Sequence, residues 1–310
     1  MASWPGLAED LVLPFRVERT GLRGRFLRLG PLLTEILARH DYPVPVSGLL
    51  AELIVLTAAL GSALKYDGIF TLQTNGDGPV SILVADMTSA GALRAYAQFD
   101  AGRVAALADG PDLSPVPALI GQGHLAFTVD QGQDTERYQG IVALEGSTLT
   151  DCIHHYFRQS EQIDAAIKVA VAHDGGAGEG ERWRGGAIMV QRLPDVSGAP
   201  ERGRGEADED WREVVTLMGS ARTDEIVDPA LAPDRLLYRL FHEPGVRAFA
   251  PLPVSAGCRC SRRRVARTLA AFPREEILAL MEDDAVSVRC EFCGADYAFD
   301  RGAIEALFAA

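Results

Sequence analysis

The chain is short of positive charge. Thirty basic residues stand against 43 acidic ones, a formal net charge of −13, and only two of the basic residues, Lys65 and Lys168, are lysines. The near-exclusive use of arginine reads as genomic composition bias. The deficit is spread along the chain, at −8 over residues 1–197, −4 over 198–250 and −1 over 251–310, so no segment offers a basic platform. A field of this sign repels phosphate backbones and counts against a nucleic-acid partner. Long apolar runs are also missing. The longest suggestive uncharged stretch, Leu53 to Leu64, has 12 residues, short of the ~20 a membrane span needs. The opening MASWPGLAEDLV places Pro5, Glu9 and Asp10 where an export signal needs a positive start and an apolar run. A soluble, cytoplasmic protein without a membrane partner is expected. Enzyme signatures are absent too: no G-x-x-x-x-G-K loop, no nucleophile elbow and no grouped Ser, His and Asp.

What is present is enough for a sizeable core: 310 residues, 47% hydrophobic and 24% charged, on a scale that suggests two domains or one large domain with an appendage. Residues 1–197 read as a mixed α/β (α+β) domain. Alternating stretches at Leu11–Glu18 and Arg23–Leu29 predict strands, and Pro31 sits at a first helical position ahead of Leu32, Leu33, Ile36 and Leu37. Val46–Leu64 predicts a central apolar helix. Strands are expected at Ile69–Thr74, Val80–Asp86, Leu93–Phe99, His124–Val129, Arg137–Glu145, Ile167–His173 and Ala187–Leu193, with a helix from Leu149 to about Gln162. The NGDGP segment at 75–79 lies between two strands, so it reads as a hairpin turn rather than a phosphate loop.

A composition shift follows. Residues 197–210, SGAPERGRGEADED, contain no large apolar side chain and read as a solvated linker or loop tip. Short helices are expected at Trp211–Gly219, Asp224–Ile226 and Asp234–His242, the last with an apolar face of Leu236, Leu237, Leu240 and Phe241. This linker region, 198–250, is too charged and broken to hold a core alone and is expected to lie on something else. Residues 251–310 form a separate unit of two helical stretches (261–272 and 274–282), two cysteine pairs and a short terminal helix. A unit of this size needs a staple.

Four of the five cysteines supply one: Cys258 and Cys260 in CRC, then, 29 residues later, Cys290 and Cys293 in CEFCG. Four thiolates make a closed tetrahedral zinc site with no open position for a substrate. Gly294 permits the turn that lets the second pair face one ion. The one-residue spacer of the first pair and the long gap depart from ordinary zinc ribbons. Each pair can also close on itself, which removes two ligands and the folding free energy that the metal contributes. Spacing therefore fits either a permanent zinc staple or a redox switch. A thiol-disulfide oxidoreductase using CEFC, or a zinc-stapled nucleic-acid module, are the competing classes.

Other candidates have blander readings. Cys152, in DCIHHYF, reads as a buried, inert small hydrophobe. The adjacent His154 and His155 point about 100° apart on a helix and make poor joint ligands. Arg259, Arg262, Arg263, Arg264 and Arg267 lack interleaved aromatics and read as a solvated helix face, with some charge left to stabilise nearby thiolates.

The cysteine pattern, with HDYP (40–43), LAEL (50–53), LKYDG (64–68), NGDGP (75–79), RYQGIVALEG (137–146), YFRQSEQ (156–162) and RLFHE (239–243), resembles the 33-kDa heat-shock protein family over nearly the whole chain. The resemblance implies a bacterial redox-regulated holdase chaperone: an α/β domain, a helical linker lying over it, and a C-terminal zinc domain that clamps the linker. It implies that Cys258, Cys260, Cys290 and Cys293 hold one zinc ion when reduced. It further implies disulfides Cys258–Cys260 and Cys290–Cys293 on oxidation, zinc release, linker loosening, capture of unfolding clients without ATP, and a homodimer as the active form. The polar 197–210 stretch departs from what a client-binding surface needs.

Overall fold

Two strands, β1 (Leu11–Val17) and β2 (Arg23–Leu29), begin the chain's regular structure as an antiparallel pair with Phe15 opposite Gly24. The computed structural model describes residues 9–107, 116–132, 137–159, 164–175, 182–192 and 204–308. Helices α1 (Pro31–Leu37) and α2 (Val44–Ala63) follow. A meander of β3 (Ile69–Gly76), β4 (Val80–Thr88) and β5 (Ala92–Phe99) comes next. Short helices α3 (Ala101–Ala105) and α4 (Val116–Leu119) lead to β6 (Gly123–Asp130) and β7 (Tyr138–Ala143). Helix α5 (Leu149–Gln159) precedes the antiparallel pair β8 (Ala165–Asp174) and β9 (Arg182–Gln191). Then come α6 (Arg204–Gly219), α7 (Thr223–Val227) and α8 (Pro233–Phe241). Three short strands end the first unit: β10 (Val246–Ala248), β11 (Leu252–Pro253) and β12 (Ser255–Ala256).

These elements make two six-stranded sheets, ordered β10-β1-β2-β9-β8 (with β11 also on β1) and β12-β5-β4-β3-β6-β7. Helix α2 packs on strands of both sheets. It is apolar on every side and buries 16 of its 20 residues, as a helix without a polar face must. It lies within two residues of the central helix expected at Val46–Leu64; by length and composition it could cross a membrane, but 89% of its apolar window is buried inside the protein, which makes it a core helix. Its single charge is Glu52, whose carboxylate accepts hydrogen bonds from the Thr150 N–H (2.9 Å) and hydroxyl (2.7 Å) at the start of α5.

The first sheet is buried on both faces, and the period-two alternation decides which side chain goes where. Val12, Leu27, Leu29, Ala187 and Met189 join α1 and α2 in the inter-sheet core. Leu13, Phe15, Phe26, Ile188 and Val190 face the other way, into a second cluster completed by Val214, Met218, Ile226, Leu237, Leu240 and Phe241 of α6 to α8. Residues 204–241 thus have no separate core and share one with the sheet. Phe15 stacks on Phe241 with ring centroids 5.5 Å apart. Gly186 on β9 lets α7 come close: a Cβ there would stand 2.8 Å from Ile226 Cγ2 and 2.9 Å from the Leu27 carbonyl.

Two boundaries differ from expectation. Strand β9 begins at Arg182 rather than Ala187, because Arg-Trp-Arg-Gly-Gly has no apolar alternation to announce it. Helix α6 begins at Arg204, inside the stretch read as solvated; its Ala and acidic residues suit a helix with an exposed first turn. The remainder of that stretch, 197–203, lies outside the described residues. NGDGP forms the β3–β4 turn, with the Asp77 carboxylate accepting from the Gln122 N–H at 2.8 Å.

The chain divides into compact units Met1–Ala256 and Gly257–Ala310. The second contains α9 (Arg262–Leu269), α10 (Arg274–Ala279), an antiparallel hairpin of β13 (Ala285–Arg289) and β14 (Asp296–Asp300), and α11 (Arg301–Phe308). The segment 251–256, expected at the start of this unit, pairs instead with β1 and β5 of the first. Five buried apolar side chains form the core of the second unit: Leu269, Ile277, Val286, Phe299 and Ile304.

Candidate metal centre

The β13–β14 hairpin is built around its turn. Cys290 follows the last residue of β13, its N–H donating to the Ala295 carbonyl at 2.9 Å, and its own carbonyl accepts from the Gly294 N–H at 2.8 Å. This reversal needs a left-handed residue, and Gly294 (φ +68°) provides it. The turn points the sulfurs of Cys290 and Cys293 the same way. The other pair lies in the non-helical stretch before α9, where the Ser261 side chain caps the helix by accepting from the Arg264 N–H at 3.3 Å.

The hairpin and this stretch bring all four sulfurs together. Cys258 Sγ lies 3.7 Å from Cys290 Sγ, Cys260 Sγ lies 3.3 Å from Cys293 Sγ, and all four are within 4.8 Å of one another. Four thiolates on one zinc ion, each at about 2.3 Å, stand about 3.8 Å apart along the edges of a tetrahedron. The donor set and its spacing fit zinc. No further His, Cys, Asp or Glu group of this kind occurs among the described residues.

The electrostatics of the protein alone favour thiols. Burial pushes the Cys290 thiol up, and burial with the neighbouring sulfurs pushes Cys293 up to about 12. The Tyr297 hydroxyl donates to Cys260 Sγ at 3.1 Å, and that bond with burial raises Tyr297 to about 12. Two arginines of the cluster beside CRC turn to other partners. Arg262 donates to the Ala298 carbonyl and lies 4.3 Å over the Phe299 ring, and Arg264 donates to the Arg259 carbonyl. A divalent cation held by Cys258, Cys260, Cys290 and Cys293 would supply the missing charge and keep its sulfur ligands deprotonated. Tyr297 was not legible as a site residue, since a lone tyrosine in an alternating strand carries no signal beyond packing.

The first unit holds the remaining candidates. Cys152 is fully buried in α5, and burial beside Asp151 and Glu52 pushes its thiol up to about 11, the signature of an inert core cysteine. His154 and His155 diverge: Nε2 of His154 accepts from the Ile167 N–H at 2.9 Å, and Nε2 of His155 lies 3.1 Å from the Glu145 carboxylate. The CEFC pair sits in a hairpin turn, not at the start of a helix after a strand as expected of an oxidoreductase.

Comparisons with known proteins agree with one another. The family model described as Hsp33 protein matches residues 10–300. The chain is 40% identical over 296 residues to the 33 kDa chaperonin of Caulobacter vibrioides (strain NA1000 / CB15N), covering 95% of this chain and 96% of that one. It is 35% identical over 302 residues to the 33 kDa chaperonin of Ectopseudomonas mendocina (strain ymp), covering 97% and 95%. Among solved structures, the 33 kDa chaperonin of Thermotoga maritima shares the fold with a TM-score of 0.75 at 21% identity, covering 96% of this chain and 98% of that one.

Proposed function

The chain belongs to the Hsp33 family of chaperones, and on that premise we propose a redox-regulated, ATP-independent holdase of the cytoplasm. It binds unfolding client proteins and keeps them from aggregating under oxidative stress, without catalysing a reaction. Cys258, Cys260, Cys290 and Cys293 hold one zinc ion per chain in the reduced state and are its redox-active centre. The observation that carries this reading is the clustering of four sulfurs within 4.8 Å in a unit whose described residues include five buried apolar side chains. A unit so poor in core depends on its metal for its fold.

Oxidation takes two electrons from each cysteine pair. In the disulfides Cys258–Cys260 and Cys290–Cys293, one S–S bond forms per pair. Each peroxide consumed has its O–O bond broken and leaves as two waters, after taking up two protons. Disulfide sulfurs are no longer ligands, so the unit Gly257–Ala310 loses its staple and unfolds. The linker 198–250, of which residues 204–241 share a core with the first sheet, loosens next. The apolar face of β1, β2, β8 and β9 then holds clients, and the active form is a homodimer. Thiol reductants reverse the sequence. The −13 charge supports a protein rather than nucleic-acid partner, and the burial of α2 supports a role away from membranes.

The test follows zinc with a chromogenic chelator while the full chain is treated with peroxide at a heat-shock temperature, then measures light scattering from a thermally unfolding client. Release of one zinc per chain, with suppression of scattering that thiol reductant reverses, is the expected result. Zinc release without suppression would make the metal a permanent staple and end the switch reading.

A further inference from the structure

Tyr297 reaches from one cysteine pair to the other. It stands on β14, in the hairpin whose turn carries Cys290 and Cys293, and pairs across that hairpin with Val288. Alternation puts its ring on the same face of the strand as Phe299, where it packs against the small core of the second unit. Its hydroxyl donates to the Sγ of Cys260, in the other pair, at 3.1 Å. Arg262, two residues beyond Cys260, donates to the Ala298 carbonyl beside Tyr297 and so ties the two segments together. The sulfurs of the second pair are met by main-chain N–H groups, that of Phe292 at Cys290 and that of Ala295 at Cys293. The donor at Cys260 comes from a side chain, so a single oxygen can be removed from it.

A phenylalanine ring would pack there as well, so the hydroxyl is what needs an account. Four thiolates on one dication carry more negative charge than the metal cancels, and a hydrogen-bond donor draws part of that excess off the sulfur it touches. The same bond bears on oxidation. When a thiolate attacks peroxide, its electron pair forms an S–O bond, the O–O bond breaks, and the departing hydroxide takes a proton from solvent. A second thiolate then displaces hydroxide from the sulfenic acid and closes the S–S bond. The first step slows when the attacking pair is already shared with an O–H donor. Thiolate nucleophilicity follows basicity with a coefficient of about 0.4–0.5. A donor that stabilises the sulfur about tenfold therefore slows its attack about threefold.

We propose that Tyr297 is a positioning residue of the redox centre, whose hydroxyl shields Cys260 from peroxide so that the four sulfurs do not respond to the oxidant alike. This inference rests on the reading of the four cysteines as a zinc-holding redox centre, and it gives one of them a guard that the metal does not supply. The guard exists only while the hairpin and the segment before α9 are folded together. Once the unit unfolds, Cys260 reacts without it.

The experiment exposes the reduced, zinc-loaded full chain briefly to peroxide, stops the reaction by alkylation, and reads by mass spectrometry the oxidised fraction of Cys260 relative to Cys290. Tyr297→Phe raises that ratio about threefold. 3-Fluorotyrosine at position 297, a stronger donor of nearly the same shape, lowers it below wild type. A second readout needs no oxidant. In cobalt-substituted protein the thiolate-to-cobalt charge-transfer band moves to lower energy in Tyr297→Phe, because the sulfur lone pair is no longer stabilised. If Tyr297→Phe does not retain metal, the fluorotyrosine comparison decides alone. An unchanged ratio or a stationary band overturns the proposal, and so does a variant in which Cys260 and Cys290 both oxidise faster to the same degree. A ratio that falls in Tyr297→Phe overturns it as well, since the hydroxyl would then be assisting the departure of hydroxide. Wild-type protein that holds no zinc, or forms no disulfides with peroxide, overturns the redox-centre reading instead.

Discussion

Helix α2 and the β13–β14 hairpin are held in place by opposite means. The helix sits between two sheets, and its hold is spread over 16 buried residues. The hairpin belongs to a unit with five buried apolar side chains and four converging sulfurs. Stability spread over dozens of side chains can be removed only by general denaturation. Stability concentrated in four sulfurs can be removed by a reagent that changes those sulfurs. Residues 204–241 stand between these extremes, because their core is shared with the outer face of the first sheet.

The largest break in this comparison is expected from Cys290→Ser. Removing one of four ligands should abolish tight zinc binding and leave residues 257–308 exchanging amide protons freely, while the sheets around α2 keep their protection. Zinc stoichiometry and hydrogen exchange measure it, and full zinc retention would contradict the four-thiolate site. Next comes Phe241→Ala. The ring is fully buried against Phe15, so its loss should cost roughly 3–5 kcal/mol. The cost should appear as faster proteolysis of residues 204–241 in reduced protein, with zinc retained. Gly186→Ala acts on the same shared core from the sheet side, against α7. Its Cβ would sit within 3 Å of both Ile226 and a backbone carbonyl, so α7 must shift at about 1–3 kcal/mol, read by the same protease assay.

The smallest effect sharpens the comparison inside the inter-sheet core. Burial raises the Glu52 carboxyl above its ordinary 4.5, against the hydrogen bonds from Thr150 that lower it. The folded protein therefore holds this proton more tightly than the unfolded chain does, and stability falls as pH rises from 4.5 through the folded-state value. A Gln carbonyl can accept both Thr150 bonds without titrating. Glu52→Gln should thus raise Tm relative to wild type more at neutral pH than in acid, measured by thermal melts across pH. A constant difference would mean that Glu52 does not titrate in that window.

Much of this was legible. Arg23–Leu29 was bounded as a strand from alternation alone, Pro31 marked the start of α1, and the spacing of Cys258, Cys260, Cys290 and Cys293 named the cluster that the fold assembles. What stayed hidden depends on contacts distant in sequence. Arg28, in RGRFLRL, looks like one more solvent-facing arginine until α7 covers it. Gly185 and Gly186 obscured the start of β9, yet glycine is what lets side chains of α1 and α2 on one face and α7 on the other approach the strand. The β13–β14 hairpin pairs Val286 and Val288 with Phe299 and Tyr297, but strands of five residues give too short an alternation to stand out from the cysteine turn between them.

Strand β10 has a consequence for how long an activated molecule would stay active. It pairs with β1 in the same sheet that contains β9, so residues 192–245 are moored at both ends. A segment tethered in this way behaves as a leash. If its helices melt while β10 stays paired, it remains near its docking surface at an effective concentration on the order of millimolar. On the proposed mechanism a bound client would have to outcompete that neighbour throughout, and once the thiols were reduced the leash would have no search to make for its site.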